Sequence, residues 1–194
     1  MKTKFRLVRT AWMALLTAFI FSCGTGVQKS DGCIEWSHVG MGGGGSMFNS
    51  TISPHDPKVV LVTCDMGGSF VTHDGGESWH MFNLSSMALF FVFDPVDPNV
   101  VYAQATGLYK SEDKGLTWKL FYPNPSDVLC FVSKGDHADE IILTKDSLRR
   151  TVLALAIDPA QSKNLYAAIR TEYSVALYTS TDGGVEWKKE KQSF

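Results

Sequence analysis

The sequence has 194 residues, enough for one ordinary domain, and its 18 basic and 20 acidic residues leave a formal net charge of -2. A nucleic-acid partner normally requires a basic face, so this balance argues against nucleic-acid binding. Aromatic residues make up 12% of the chain and it contains 17 glycines, which is typical of an all-β protein with many turns.

Residues 1–22 have the pattern of an N-terminal signal peptide and are set apart from the fold. Basic residues cluster between positions 2 and 9, and the apolar run at 11–21 is too short for a permanent transmembrane helix. The run ends in IFSCG at 20–24, which resembles a bacterial lipobox with cleavage before Cys23 and lipid on its sulfur. An ordinary secretory signal with an incidental cysteine is the alternative. We expect an exported lipoprotein, periplasmic or at the cell surface, anchored to the outer membrane or cell surface through Cys23.

The segment after the signal leads into the fold. Residues 23–33 are mostly small and polar, which predicts a tether, and the folded part is predicted at 34–194. Alternating apolar residues at 34–39 favour a strand that contains Trp36. The glycine-rich run at 40–45 has almost no side chains to pack, so it predicts a loop that another group can approach closely.

From residue 46 onward, the sequence repeats about every forty residues. Each unit has an apolar strand, an Asp-Pro turn, a second β-rich strand and then a hairpin. This period is expected of the four-stranded blades of a β-propeller. The predicted blades are 46–83, 87–122 and 151–190, and three blades cannot close a ring.

One eight-residue turn occurs in each unit: THDGGESW at 72–79, SEDKGLTW at 111–118 and STDGGVEW at 180–187. The shared pattern is Ser/Thr-x-Asp-x-Gly-x-x-Trp. The Asp carboxylate and the hydroxyl can accept backbone N–H bonds across a tight turn, and the glycine can adopt a positive φ. The tryptophan can bury a large ring where the chain re-enters the sheet. The defining residues are Asp74, Gly76, Trp79, Asp113, Gly115, Trp118, Asp182, Gly184 and Trp187.

This turn is similar to the Asp-box, or BNR repeat, of sialidase-like β-propellers. A catalytic or calcium-binding role for Asp74, Asp113 and Asp182 is one interpretation, and a turn-stabilising structural role is the other. The resemblance implies the structural role, because the boxes of such propellers lie at the blade periphery. The predicted fold is all-β, a partial and open propeller of about three four-stranded blades with Asp-box hairpins, after an N-terminal signal helix.

An insert at 126–150 separates the second and third units. Its two apolar stretches flank a polar segment at 135–140 and favour a hairpin-like excursion or a loop over one face. The Asp, His and Glu residues of that segment could form a metal site, although a solvated loop is the simpler interpretation. We predict no metal and no cofactor.

The stretch from Trp36 to Phe70 resembles the start of the xyloglucan-hydrolysing two-propeller glycosidases, glycoside hydrolase family seventy-four. Three segments carry the resemblance: WSHVGMGGGG, ISPHDP and TCDMGG. ALAIDPAQSKNLYAA at 154–168 also looks like a blade of that family. The resemblance implies that Asp65 is a catalytic aspartate, the general base. It also implies an interaction with a polysaccharide or oligosaccharide.

The sequence departs from that family in ways that affect function. Cys64 stands where the family usually has Thr, and the insert changes the blade spacing. Inverting hydrolysis needs two carboxylates, and the family's partner aspartate comes from a second propeller. Asp65 could instead simply cap the turn before Gly67 and Gly68. Trp36, Gly67, Gly68 and Phe70 are the candidate substrate-binding residues, although the two aromatic rings could equally pack between blades.

Two functions therefore follow as hypotheses. The first is an exported glycosidase-like propeller that binds a β-glucan such as xyloglucan, or hydrolyses it in a longer form, and is inactive at this length. The second is a non-catalytic binding or assembly propeller, a protein- or glycan-binding scaffold like the sortilin-type and photosystem-assembly relatives.

Overall fold

A computed structural model describes residues 45–66, 68–134, 139–146, 150–171 and 174–193. The described residues form fourteen β-strands and one short 3-10 helix, with no α-helix among them. The signal peptide, the tether and the strand predicted around Trp36 lie outside these residues. Within them, no helix is long and apolar enough to cross a membrane.

Three four-stranded antiparallel sheets follow one another along the chain, and we call them blades one, two and three. In blade one the strand order follows the sequence: β1 (Met47–Ile52), β2 (Val60–Cys64), β3 (Gly68–Thr72) and β4 (His80–Phe82). Blade two repeats this order with β5 (Phe90–Phe93), β6 (Val101–Gln104), β7 (Leu108–Ser111) and β8 (Lys119–Tyr122). Each strand pairs with its neighbour in the chain, as the short turns between them require.

The insert forms a separate two-stranded sheet before blade three. A 3-10 turn at Pro125–Asp127 leads into β9 (Val128–Lys134), which pairs antiparallel with β10 (Asp139–Thr144). Of the two arrangements predicted for the insert, the structure has the hairpin. Blade three then follows as β11 (Thr151–Ile157), β12 (Leu165–Arg170), β13 (Val175–Ser180) and β14 (Lys188–Ser193).

The predicted fold class is confirmed for the described part of the chain: it is all-β, with three four-stranded Asp-box sheets in an open arrangement. The strands lie within a few residues of the apolar stretches that predicted them. The end of blade three differs from the prediction, because the predicted blade ends at residue 190 and β14 continues to Ser193.

Two apolar cores join the blades. The first buries Leu61 and Val71 of blade one against Phe91 and Val101 of blade two. The second buries Leu108 of blade two against Leu165 and Ile169 of blade three, among others. A propeller sheet has an apolar side chain on each face, so each blade needs a neighbour to cover it. These contacts hold successive sheets side by side.

The two turns at one edge of each blade are joined by a repeated hydrogen bond. The N–H of Gly75 donates to the carbonyl of Lys58 at 3.0 Å. Lys114 and Gly183 make the same bond at 2.8 and 2.9 Å. Each bond ties the Asp-box turn to the turn between the first two strands of its blade, with Asn99 and Lys163 as the acceptors in blades two and three.

Replacing Leu108 by alanine should destabilise the protein, because Leu108 has no exposed surface and lies in the core between blades two and three. We expect the free energy of unfolding to fall by about 2–5 kcal/mol, the usual cost of removing a buried leucine side chain. Leu116→Ala is the matched control, since Leu116 is 44% exposed, and its effect should stay within about 0.5 kcal/mol. Urea unfolding of the full chain measures both, and equal effects would contradict the assignment of this core.

Candidate functional site

The first Asp-box turn is held by its own side chains. Thr72 Oγ1 accepts the N–H of Gly76 at 2.9 Å and donates to Asp74 Oδ1 at 2.7 Å. Asp74 Oδ1 also accepts the N–H of Ser78 at 3.0 Å, and Asp74 Oδ2 accepts the Ser78 hydroxyl at 2.5 Å. The carboxylate and the hydroxyl thus satisfy the backbone and side-chain donors that a tight turn would otherwise leave without partners.

The second box reproduces these contacts. Ser111 Oγ accepts from Gly115 N at 2.8 Å and donates to Asp113 Oδ1 at 2.7 Å. Asp113 also accepts both the N–H and the hydroxyl of Thr117, at 2.8 and 2.5 Å. The same geometry in two blades shows that the shared sequence pattern encodes a shared turn.

The third box keeps the hydroxyl-to-carboxylate bond but lacks one donor. Ser180 Oγ donates to Asp182 Oδ1 at 2.7 Å and accepts from Gly184 N at 2.8 Å. Glu186 occupies the position of Ser78 and Thr117, so it offers Asp182 its backbone N–H, at 3.1 Å, but no hydroxyl. Val185 N adds a further bond to Asp182 at 3.0 Å.

These hydrogen bonds stabilise the ionised form of all three carboxyl groups. Bonds from Ser78, and then from Thr72, hold the pKa of Asp74 well below its ordinary value. For Asp113, burial alone would raise the pKa, but the bonds from Thr117 and Ser111 outweigh it and lower the pKa. The bond from Ser180 and those from Glu186 and Val185 lower the pKa of Asp182. The oxygens of these carboxylates accept hydrogen bonds from donors within their own turns. This suits a structural role better than a catalytic one.

The box tryptophans differ in whether their indole N–H has a hydrogen-bond acceptor. Trp79 Nε1 donates to the Gly76 carbonyl at 3.1 Å, and Trp118 Nε1 donates to the Gly115 carbonyl at 3.0 Å. The indole nitrogen of Trp187 is buried and has no acceptor among the residues that the structure describes. Its ring packs edge-on against Phe121 and Tyr122 of blade two.

Asp65 lies in the turn between β2 and β3, at the edge of blade one opposite the Asp-box, and it is exposed. Its Oδ1 accepts the backbone N–H of Ser46 at 2.8 Å and lies 3.9 Å from Cys64 Sγ. Its backbone N–H donates to the Ser46 carbonyl at 3.2 Å. No described residue donates a hydrogen bond to Oδ2. One oxygen therefore holds the turn to the chain before β1, and the other is available to water or to a ligand.

Two glycines allow the backbone to approach closely around Asp65. Gly45 has φ +119°, and a Cβ there would lie 2.5 Å from Asp65 Oδ1. Gly68 has φ +93°, and a Cβ there would lie 2.7 Å from the Phe82 carbonyl oxygen. Both positions require glycine, because each has a positive φ and leaves no room for a Cβ atom. In this structure Gly68, a candidate binding residue, is explained by packing against β4.

The other candidate substrate-binding residues either lie away from Asp65 or fall outside the described residues. Phe70 is half-buried in the middle of β3, where it pairs with Val62 and Met81 rather than standing at the exposed edge beside Asp65. Trp36, Gly67 and the lipidation candidate Cys23 lie outside the described residues. Of the members of the predicted substrate-binding set that the structure describes, Gly68 lies next to the Asp65 turn and Phe70 does not.

The polar segment of the insert is only partly described. Asp139 and Glu140 begin β10 and are half-buried, and the Glu140 N–H donates to the Ser85 carbonyl at 2.8 Å. Residues 135–138 lie outside the described ranges. Among the residues that are described, no group of three or more His, Cys, Asp or Glu side chains is arranged to hold a metal ion.

A cavity of about 460 Å³ lies where the insert meets blades two and three, and it was not predicted from the motifs. Tyr122, Tyr178 and Trp187 form part of its wall, together with Asn124 and Arg150. These residues lie far apart in the sequence, so only the folded hairpin brings them together. A cluster of aromatic and polar residues on both sides of the insert is the signal that could have suggested it.

Comparison with known proteins agrees with this arrangement. Residues 70–81 match the family described as BNR/Asp-box repeat. Xyloglucanase Xgh74A of Acetivibrio thermocellus is 28% identical over 169 residues, which cover 80% of this chain and 19% of that protein. The chain thus spans about a fifth of the length of the curated relatives it matches.

The fold is similar to that of a solved structure, and a second, weaker similarity is also found. The crystal structure of an ancestral GH74 enzyme superposes with a TM-score of 0.52 at 20% identity, covering 77% of this chain and 21% of that one. YCF48 from Cyanidioschyzon merolae gives a TM-score of 0.49 at 17% identity, covering 82% of this chain and 44% of that one.

The fold and the boxes define the class: this is an Asp-box chain built from β-propeller blades. Within that class it resembles the xyloglucanase-type, glycosidase-like propellers, as the sequence predicted.

The lowered pKa values predict how acid affects stability. A carboxyl group with a lowered folded-state pKa stabilises the fold above its unfolded pKa, near 3.8, and this contribution is lost as the pH falls toward the folded value. Asp74→Asn removes the carboxylate, so we expect the variant to be less stable than the parent at pH 7. The difference should shrink below about pH 3.8.

Urea midpoints of the full chain between pH 7 and pH 2 measure this difference. Glu77→Gln is the matched control, because Glu77 is an exposed carboxylate in the same box that makes none of the turn's hydrogen bonds. A deficit in Asp74→Asn that stays constant across this range would show that the ionised carboxylate does not stabilise the turn.

Proposed function

We propose that this chain is the part of a glycosidase-like propeller that binds a β-glucan such as xyloglucan, and that Asp65 is the general base in a longer form. The observation that carries the proposal is the 28% identity to a xyloglucanase across 80% of the chain. The position of Asp65 supports it, because an exposed turn at the edge opposite the boxes is accessible to a long polysaccharide.

The local geometry of Asp65 suits the base of an inverting pair. A general base must reach the attacking water with one oxygen and be held in place by other contacts. The Ser46 N–H fixes Oδ1 at 2.8 Å, and no described residue occupies the hydrogen-bonding sites of Oδ2. Inversion also requires an acid on the other side of the bond, with the two carboxyl groups roughly 6.5–9.5 Å apart. We propose that a second propeller supplies the acid, so that the 194 residues alone bind glucan without cleaving it.

Binding without catalysis is the second candidate function, and the same contact favours it. The bonds between Asp65 and Ser46 close a turn, which is a sufficient structural reason for a carboxylate at this position. In that case the chain is a non-catalytic scaffold for a glycan or a protein. The two candidate functions predict different effects on hydrolysis when the Asp65 carboxylate is replaced.

Asp65→Asn separates the two functions when it is made in a form long enough to contain both propellers. The amide keeps the shape and an acceptor for Ser46 N–H but cannot take a proton, so xyloglucan hydrolysis should fall by about 10²–10⁴-fold. Xyloglucan binding should be retained. Release of reducing ends measures hydrolysis, and affinity electrophoresis in xyloglucan measures binding.

Asp56→Asn is the matched control for this experiment. Asp56 lies in the turn at the other end of β2, where it accepts the N–H of Lys58 at 3.0 Å. Its replacement should leave hydrolysis unchanged. Full activity in Asp65→Asn would remove Asp65 from the mechanism, and binding with no hydrolysis in the parent long form would favour the scaffold.

We also propose that the chain is exported and anchored by lipid at Cys23, on the basis of the IFSCG motif and the basic, apolar N-terminus. Cys23→Ala should prevent lipid attachment and release the protein from the membrane fraction, because acyl chains supply the anchoring energy. Radiolabelled palmitate and membrane fractionation in a bacterial host measure both effects. Cys33→Ala is the control and should remain lipidated, and equal labelling of both variants would exclude Cys23 as the lipid site.

A further inference from the structure

A groove of about 550 Å³ lies where the insert hairpin meets blades one and two. Residues 82–85, at the end of the outer strand of blade one, form one wall, and the third and fourth strands of blade two with the turn between them form another. The hairpin forms the remaining side. Asp65, Gly68 and Phe70 do not line this groove, so it is a separate feature from the turn considered for glucan hydrolysis.

Aromatic and aliphatic side chains form most of the groove surface. Tyr109 and Trp118 of blade two are half-buried, whereas Leu116 and Phe131 are 44% and 47% exposed. The two exposed side chains leave the groove open to solvent. An aromatic ring attracts a cation to its face, and apolar walls can cover the methylene groups of a long charged side chain.

Glu140 is the charged residue among the described residues that line the groove. It shares a face of the hairpin with Phe131, because Phe131 pairs with Ile142, two residues after Glu140 along β10. Its backbone N–H is bonded to Ser85, but no described residue donates a hydrogen bond to its carboxylate or forms an ion pair with it. Burial, and then the charge of Glu140, raise the pKa of Tyr109, in accord with a carboxylate near that ring.

No described lysine or arginine is paired with Glu140. The residue also borders a smaller recess that contains Arg150 and Arg170, but Arg150 is ion-paired with Asp146 and neither arginine forms an ion pair with Glu140. Residues 135–138 of the insert lie outside the described ranges, and their sequence, GDHA, contains no lysine or arginine. The described lining of the groove is therefore negative and is complementary to a cation.

The groove lies beside an unpaired strand edge. β9 pairs with β10 on one side, and no described strand pairs with its other edge, where residues 129–134 are exposed. Such an edge presents N–H and C=O groups to which an extended segment of another protein can bond, while a side chain of that segment enters a neighbouring pocket. This edge favours a cation carried on a protein segment over a free small cation.

We infer that the groove binds a lysine or arginine side chain of a partner protein. The alkyl part of that side chain lies on Leu116 and Phe131. Its cationic group meets the Glu140 carboxylate beside the rings of Tyr109 and Trp118. The inference does not rest on catalysis by Asp65, which does not line the groove.

The indole N–H signals of the ¹⁵N-labelled full chain test this inference, and Trp118→Phe identifies the Trp118 signal. The probes are tetramethylammonium chloride and capped pentapeptides with lysine, arginine, norleucine or glutamate between two pairs of glycines, each added separately to millimolar concentration. We expect the Trp118 signal to shift and saturate with the lysine or arginine peptide. Norleucine, an alkyl side chain without the charge, should have little effect. The signals of Trp79 and Trp187 should stay in place, since neither residue lines the groove.

Variants locate the binding site. Glu140→Gln keeps the size of the side chain and the backbone bond that anchors the hairpin, so the loss of its charge alone should weaken binding of the lysine peptide roughly tenfold. Glu77→Gln is the control, since Glu77 is an exposed carboxylate outside the groove. Phe131→Ala should also weaken binding, whereas Val132→Ala should not, because Val132 is the next exposed residue of β9 and points to the opposite face. Asp65→Asn should leave this binding unchanged, which separates the inference from the proposed function.

Four results would overturn the inference. The first is a folded protein whose Trp118 signal responds to neither the lysine nor the arginine peptide. The second is an equal response to the norleucine or glutamate peptide, which would show that the groove does not select a cation. The third is binding of tetramethylammonium as strong as that of the lysine peptide, which would assign a small-cation site. The fourth is equal affinity in the parent and in folded Glu140→Gln and Phe131→Ala variants, which would place the binding elsewhere.

Discussion

The hydrogen bond between a Ser or Thr hydroxyl and the Asp carboxylate two residues later is the interaction on which each blade depends. A tight turn between two strands leaves several N–H groups that cannot join the sheet, and an unpaired buried N–H is costly. In each box the hydroxyl accepts one such N–H, from Gly76, Gly115 or Gly184, and donates its own proton to the carboxylate. The carboxylate is thereby oriented toward the remaining donors of the turn. The hydroxyl thus provides an acceptor for a backbone N–H of the turn, and its bond to the carboxylate fixes the shape of the turn.

The fixed turn also places the box tryptophan, and the tryptophan connects the blades. Trp118 of blade two stacks on Phe82 of blade one with ring centroids 5.0 Å apart. Trp187 of blade three packs edge-on against Phe121 and Tyr122 of blade two. The second and third boxes therefore each close their own hairpin and pack against the outer strand of the preceding blade. The hydrogen bonds within a turn therefore help to determine how successive sheets pack against each other.

The sequence predicted what depends on local chemistry. Three turn motifs and the apolar runs between them were sufficient to identify three four-stranded sheets, because strand alternation and turn residues are read over a few positions. Contacts between distant segments were not predictable in this way. The bond from Ser46 to Asp65 depends on where β1 begins, and the backbone near Gly45 has no periodic signal. The sequence also suggested that Phe70 could contact substrate, whereas its position inside β3 follows from strand register.

The insert explains why blades one and two differ at the edge that carries Asp65. In blade two the equivalent turn contains Gly107, and a Cβ there would lie 2.8 Å from the Tyr122 carbonyl and 2.9 Å from Ile142 of the hairpin. The hairpin is anchored beside this turn by the bond from Glu140 N to the Ser85 carbonyl. It therefore covers the turn of blade two, while the turn of blade one stays exposed. Residues on either side of the same hairpin line the cavity between blades two and three. One insertion therefore both covers the edge of blade two and contributes to this cavity.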